Sequence, residues 1–91
     1  RFEETVCCLS ALCDLSLGMT ETLMLGERTD PVLILARAAG LDWETTELVL
    51  KVKPTGGQLS PTMLGRAREN FDRLRANIAE RVLKYWRLKE P

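Results

Sequence analysis

The chain has 91 residues, 45% of them apolar and 29% charged, with thirteen basic and thirteen acidic side chains and no histidine. That is one domain with a modest core and no room for a second, and the few aromatics among many Leu, Ala and Glu favour helix. The longest uninterrupted apolar run, Val32–Ala36, is far below the ~18 residues that span a bilayer. No secretory signal is visible either, so a cytoplasmic chain with no membrane span is expected.

The first helix is predicted from Phe2 to Leu15, with Phe2, Val6, Leu9 and Cys13 on one face. Ser16–Gly18 turns the chain, and Met19 to about Glu27 makes a short second helix containing Leu23 and Met24. Thr29–Asp30–Pro31 is a restart signal, with Asp30 as N-cap and Pro31 at the first helical position. The third helix, Pro31 to Ala39, is apolar almost all round and belongs at the centre of the domain; Gly40 ends it. Asp42 caps a fourth helix, Trp43 to about Val52, with Trp43, Leu48 and Val49 or Leu50 inward. Residues 1–53 are thus four short helices. Residues 54–59 are the one mobile loop, and residues 60–89 read as one long helix.

The long helix starts with Ser60 as N-cap and Pro61 at the first position. Leu64, Ala67, Phe71, Leu74 and Ile78 form its apolar stripe, continued by Val82, Tyr85 and Trp86, while Arg68 with Asp72, Glu69 with Arg73 and Glu80 with Lys84 are opposite charges four apart. About 27 residues at 1.5 Å span roughly 40 Å, against a diameter of roughly 30 Å for a chain of this size. The helix is therefore expected to overhang. Its uncovered end would expose Val82, Tyr85, Trp86 and Leu88 as an interface, most simply a two-fold homodimer. Trp43 and Trp86 also read as core anchors.

Two patterns extend over longer distances. Residues 1–59 hold five Lys/Arg against nine Asp/Glu, and residues 60–91 eight against four, so the halves carry −4 and +4. The first two helices also resemble the next two: an offset of 24 places Leu9 on Leu33, Leu17 on Leu41, Met19 on Trp43, Thr22 on Thr46 and Met24 on Leu48. The fold class expected is all-α, with short helical hairpins, repeat-like, packed against one long C-terminal helix.

Chemistry is sparse. Without histidine the commonest general base and metal ligand is missing, and no nucleophile elbow, phosphate loop or dinucleotide fingerprint occurs. Cys7, Cys8 and Cys13 are odd in number, lie in one helix and form no CxxC, so neither a disulfide framework nor a zinc site is expected. Glu44, Glu47, Asp14, Glu21 and Asp30 read as solvated faces or caps, and no basic neighbour activates Thr20, Thr22, Thr45 or Thr46. No catalytic, cofactor or metal residues are expected, and the chain does not read as an enzyme. Pro31–Val52 has the Ala36–Gly40 spacing of a helix-turn-helix, yet Thr46 stands where an apolar residue is wanted. The would-be recognition helix also opens with Asp42, Glu44 and Glu47, which phosphates repel. The reading favoured is a protein-interaction or regulatory module. The alternative is a nucleic-acid-associated regulator using that hairpin or the Arg-rich helix.

At ILARAAGLDWETTELVLKVK (34–53) and FDRLRANIAERVLKYWRLKE (71–90) the chain resembles the C-terminal part of an alphaproteobacterial family, the domain of unknown function DUF2336. Leu35–Thr45 matches its hydrophobic-Ala-Arg-Ala-x-Gly-Leu-x-Trp-Glu-Thr segment, and Ala79–Trp86 its Ala-x-Arg-Val-x-x-Tyr/Phe-Trp ending. The resemblance implies that this is a fragment of a larger protein. It implies no activity and no site residues.

Overall fold

A computed structural model describes residues 1–54 and 59–90. Among these residues there are six helices and no strand: α1 (Phe2–Cys13), α2 (Leu17–Leu25), α3 (Asp30–Ala38), α4 (Trp43–Val52), α5 (Pro61–Arg73) and α6 (Ala76–Lys89). The all-α expectation holds, and the last and longest helix, of 14 residues, packs on the earlier ones. Most of the expected mobile loop, residues 55–58, lies outside the described residues.

Helix α3 is central, as its apolar circumference requires. It touches each of the other five helices and buries Val32, Leu33, Leu35 and Ala36. Val32, Leu33 and Ala36 join a core with Val6, Leu9, Met24, Val49, Leu50, Ala67 and Phe71. Leu35 joins a second, smaller cluster with Cys13, Leu15 and Leu83.

The two hairpins α1–α2 and α3–α4 share a set of local features, at an offset of 26 rather than 24. Asp14 and Gly40 are the two described residues with positive φ, at 53° and 79°. After each, a leucine N–H reaches back to close the preceding helix: Leu15 to the Ser10 carbonyl (3.1 Å) and Leu41 to the Ala36 carbonyl (3.0 Å). The next residues, Ser16 and Asp42, are the N-caps, accepting from the N–H of Met19 (3.1 Å) and Thr45 (2.8 Å). Thr20 and Thr46 are both fully buried, each hydroxyl donating to the carbonyl of its own cap residue. Met24 and Leu50, both fully buried, complete the correspondence. Matching apolar letters alone slipped the register by two, because caps and left-handed residues mark the unit more sharply than hydrophobicity.

Several boundaries move for the same reasons. Asp14 adopts the left-handed conformation and stops α1 before Leu15. Ser16 is a cap, so Leu17 and Gly18 are helical rather than a turn. Thr29 occupies the N-cap of α3, and Asp30 pairs instead with Arg28 at 2.6 Å. In α4 the inward positions are Thr46, Val49 and Leu50; Leu48 is 64% exposed, and Trp43 is half-buried, its ring 5.8 Å from that of Phe71.

The predicted long helix is divided. At Leu74 and Arg75 the backbone becomes extended, with ψ of 116° and 145°, and α6 sets off in a new direction. Neither proline nor glycine causes this. A straight continuation would carry the apolar side of residues 76–89 away from α3, whereas the turn buries Ala79 and Leu83 there and half-buries Trp86. Large apolar side chains gain about 1.5–3 kcal/mol each on burial, more than the ~1 kcal/mol of each main-chain bond interrupted at the break. The molecule measures 36 × 26 × 18 Å, and no helix overhangs it as expected for an undivided one. The buried positions shift accordingly, from Ala67 and Phe71 in α5 to Ala79 and Leu83 in α6. Ile78, expected in the stripe, is 42% exposed. The charge pairs expected on this stretch do not close; the one helical i,i+4 ion pair among the described residues is Glu47–Lys51 in α4, at 2.9 Å.

Candidate interaction surface

Three long side chains hold the helix ends from a distance. Arg37 Nη2 donates to the Phe71 carbonyl at 2.6 Å. Arg87 donates to the Cys13 carbonyl through Nη2 (2.6 Å) and Nε (3.2 Å) and to that of Asp14 through Nε (3.3 Å), taking up the last carbonyls of α1. Lys53, largely buried, donates from Nζ to the Arg28 carbonyl at 3.0 Å, and burial lowers its pKa. Beside Arg87, the Ser16 N–H donates to Glu90 Oε1 at 2.6 Å. The contacts of Arg87 and Glu90 fix the rotation of α6.

That rotation decides what α6 shows outward. Trp86 is half-buried against the cluster of Cys13, Leu15, Leu35 and Leu83, and Val82 is also half-buried. Tyr85 and Leu88 point outward, 56% and 84% exposed, and Ile78 lies two turns back from Tyr85. Lys89 Nζ sits 5.2 Å from the Tyr85 ring centroid. Of Val82, Tyr85, Trp86 and Leu88, then, Tyr85 and Leu88 share the outer face while Trp86 turns inward. Sequence reasoning missed Ile78, because an unbroken helix puts it on the inner stripe.

A second apolar surface was also missed. A groove between α1 and α4 has Cys8, Leu12, Leu41 and Val49 in its walls and Glu4 and Thr45 at its rim. Leu12 is 58% exposed. Its lining comes from α1, α4 and Leu41 just before α4, so periodicity within either helix does not reveal it.

The chemical groups remain dispersed. Among the described residues no three His, Cys, Asp or Glu side chains gather as a metal site would require. Cys13 is buried, its Sγ donating weakly to the Leu35 carbonyl at 3.5 Å, and burial pushes its thiol pKa up; Cys7 and Cys8 are exposed. On α4 the outward side chains are Glu44, Thr45, Leu48 and Lys51, with Lys51 tied to Glu47. Arg66, Arg68, Arg73, Arg75, Arg81 and Lys84 are exposed along α5 and α6. No described helix is long and apolar enough to cross a membrane.

A paired-hairpin helical domain with its last helix laid across the central one is the class of protein defined here. The chain belongs to the bacterial family described as "Uncharacterised protein conserved in bacteria (DUF2336)", whose model matches residues 1–84. No curated protein and no solved structure matches it.

Proposed function

We propose that this chain is a non-enzymatic protein-interaction or regulatory module of the bacterial cytoplasm that meets its partner through the outer face of α6. The observation that carries this reading is the pair Tyr85 and Leu88, large apolar side chains exposed one turn apart on a helix whose inner face is already occupied. Aromatic and apolar anchors of this kind dominate binding energy when a partner desolvates them. A second copy is the simplest partner, since two-fold pairing would lay each face on its equivalent. Sedimentation equilibrium of protein that has never been unfolded tests it: the wild type should self-associate at tens of micromolar in rapid exchange with monomer, and Tyr85→Ala with Leu88→Ala should lose this rapidly reversible association. A monomeric wild type, or a double variant that associates unchanged, would remove this face from the account.

A second reading is favoured by the row of exposed arginines on α5 and α6, none of which is ion-paired among the described residues. Phosphates would suit them. Binding to random duplex DNA that weakens steeply with salt supports a nucleic-acid-associated regulator; no binding at low salt dismisses it.

A further inference from the structure

We propose that two copies of this chain exchange their α6 helices, each chain's α5 and α6 merging into one continuous helix through Leu74 and Arg75. The hinge is two residues long, and the stretch Asp72–Ile78 contains neither glycine nor proline. Local propensity therefore favours helix straight through it. The missing side-chain cap at the α6 N-terminus points the same way. What opposes it is tertiary: α6 packs on α3, and Arg37 of α3 bonds the Phe71 carbonyl, which the Leu74 N–H also reaches at 3.1 Å. Short hinges of this kind, where local preference and packing disagree, are where elements swap between copies.

The contacts of α6 are portable. It packs chiefly on α3, so straightening the hinge gives up little between α5 and α6. Its inner face meets Cys13, Leu15 and Leu35, and its end bonds Cys13, Asp14 and Ser16. All of these precede the hinge, and a second copy presents them unchanged. Within one chain the two demands conflict, because a straight helix takes α6 off its own α3. A pair of chains satisfies both: each α6 recovers its site on the partner, and each hinge regains its main-chain bonds. This assembly is distinct from pairing through Tyr85 and Leu88, which stay outward in it.

Arg75→Pro tests the exchange. Proline suits the divided form, since Arg75 has φ of −81° and Leu74 the extended backbone that precedes proline well. Among the described residues the Arg75 N–H bonds no carbonyl. In a continuous helix the same residue would lie mid-helix, where proline is excluded. The full chain, Arg75→Pro, Arg75→Ala and the Tyr85→Ala/Leu88→Ala pair are unfolded in urea, refolded at high concentration and sized by sedimentation. The wild type should yield a dimer that returns only slowly to monomer on dilution. Arg75→Pro should weaken dimerisation by about a hundredfold or more per hinge. Arg75→Ala should tighten it about twofold, and the Tyr85/Leu88 variant should leave the slowly dissociating dimer in place. A wild type that refolds only to monomer, or an Arg75→Pro chain that dimerises like the wild type, overturns the proposal. Should Arg75→Pro fail to fold, an Arg75→Ala chain no tighter than wild type overturns it equally.

Discussion

Arg37 and Phe71 are joined twice: the guanidinium Nη2 donates to the Phe71 carbonyl at 2.6 Å, and the guanidinium carbon lies 3.9 Å from the centroid of the Phe71 ring. The carbonyl is available because the N–H that a continuing helix would bring to it has turned away at Arg75. One side chain from α3 thus secures both the last turn of α5 and the ring at the centre of the larger core. Its Nε is buried and has no partner among the described residues, so the bond from Nη2 and the ring contact hold the guanidinium despite that cost.

Arg37→Ala is expected to lower the free energy of unfolding by about 2–3 kcal/mol, the range for a hydrogen bond to a charged group together with a cation–π contact. Arg37→Lys should recover less than half, since an ammonium lacks the planar fork that stacks and bonds at once. Urea titrations of the three chains measure this. A lysine variant as stable as the wild type would reduce the contact to charge alone.

The two left-handed residues should respond oppositely. Gly40→Ala places a Cβ at φ of +79°, where open space surrounds it but the backbone is strained, and should cost about 1 kcal/mol. Asp14→Gly relaxes the same strain at φ of 53° and should gain up to about 1 kcal/mol. Thermal unfolding compares them; equal signs would contradict the equivalence of the two hairpins.

Leu48 separates the observed face of α4 from the expected one, which held it inward together with Val49 or Leu50. Leu50 is fully buried, and Leu50→Ala should cost about 2–5 kcal/mol. Leu48→Ala, at a position 64% exposed, should stay within about 0.5 kcal/mol. Denaturant midpoints suffice, and a costly Leu48→Ala would mean that α4 is rotated.

Where residues announce themselves locally, sequence and structure agree. Ser60, Pro61, Asp42 and Gly40 mark helix ends through their own backbone chemistry, and α3 is central because it has no polar side. What escaped was set by distant partners. Nothing near Leu74 signals a break, because the reason for it lies in Leu35, Cys13 and Arg37. Leu48 and Leu50 are both apolar, and only Thr46, whose hydroxyl is satisfied by the Asp42 carbonyl, tips the inner face toward Leu50. For the same reason Tyr85 and Leu88 were found as part of the outer surface, while Trp86, on the far side of the same turn, was grouped with them.

Acid should loosen α4 through its cap. The Thr45 N–H bonded to Asp42 holds this carboxyl below its ordinary value of 3.8. A group whose pKa is depressed in the folded chain stabilises it above the unfolded value, and the contribution disappears as pH falls through the folded one. Stability should therefore drop below about pH 4, and Asp42→Asn, which keeps an acceptor but cannot titrate, should flatten that part of the profile. Urea midpoints at neutral pH and at pH 3 read the difference. A profile unchanged in Asp42→Asn would assign the acid loss to other carboxylates.

Arg87 grips carbonyls 74 and 73 positions earlier in the chain, and Glu90 an amide 74 positions earlier. Each hairpin can close from neighbours a few residues apart, but these bonds form only after almost the whole chain has been brought round, at the largest cost in loop entropy. In time, then, α6 docks last and leaves first. Native-state hydrogen exchange should show its amides opening at a lower free energy than those of α3, with the amide of Ser16 released alongside them.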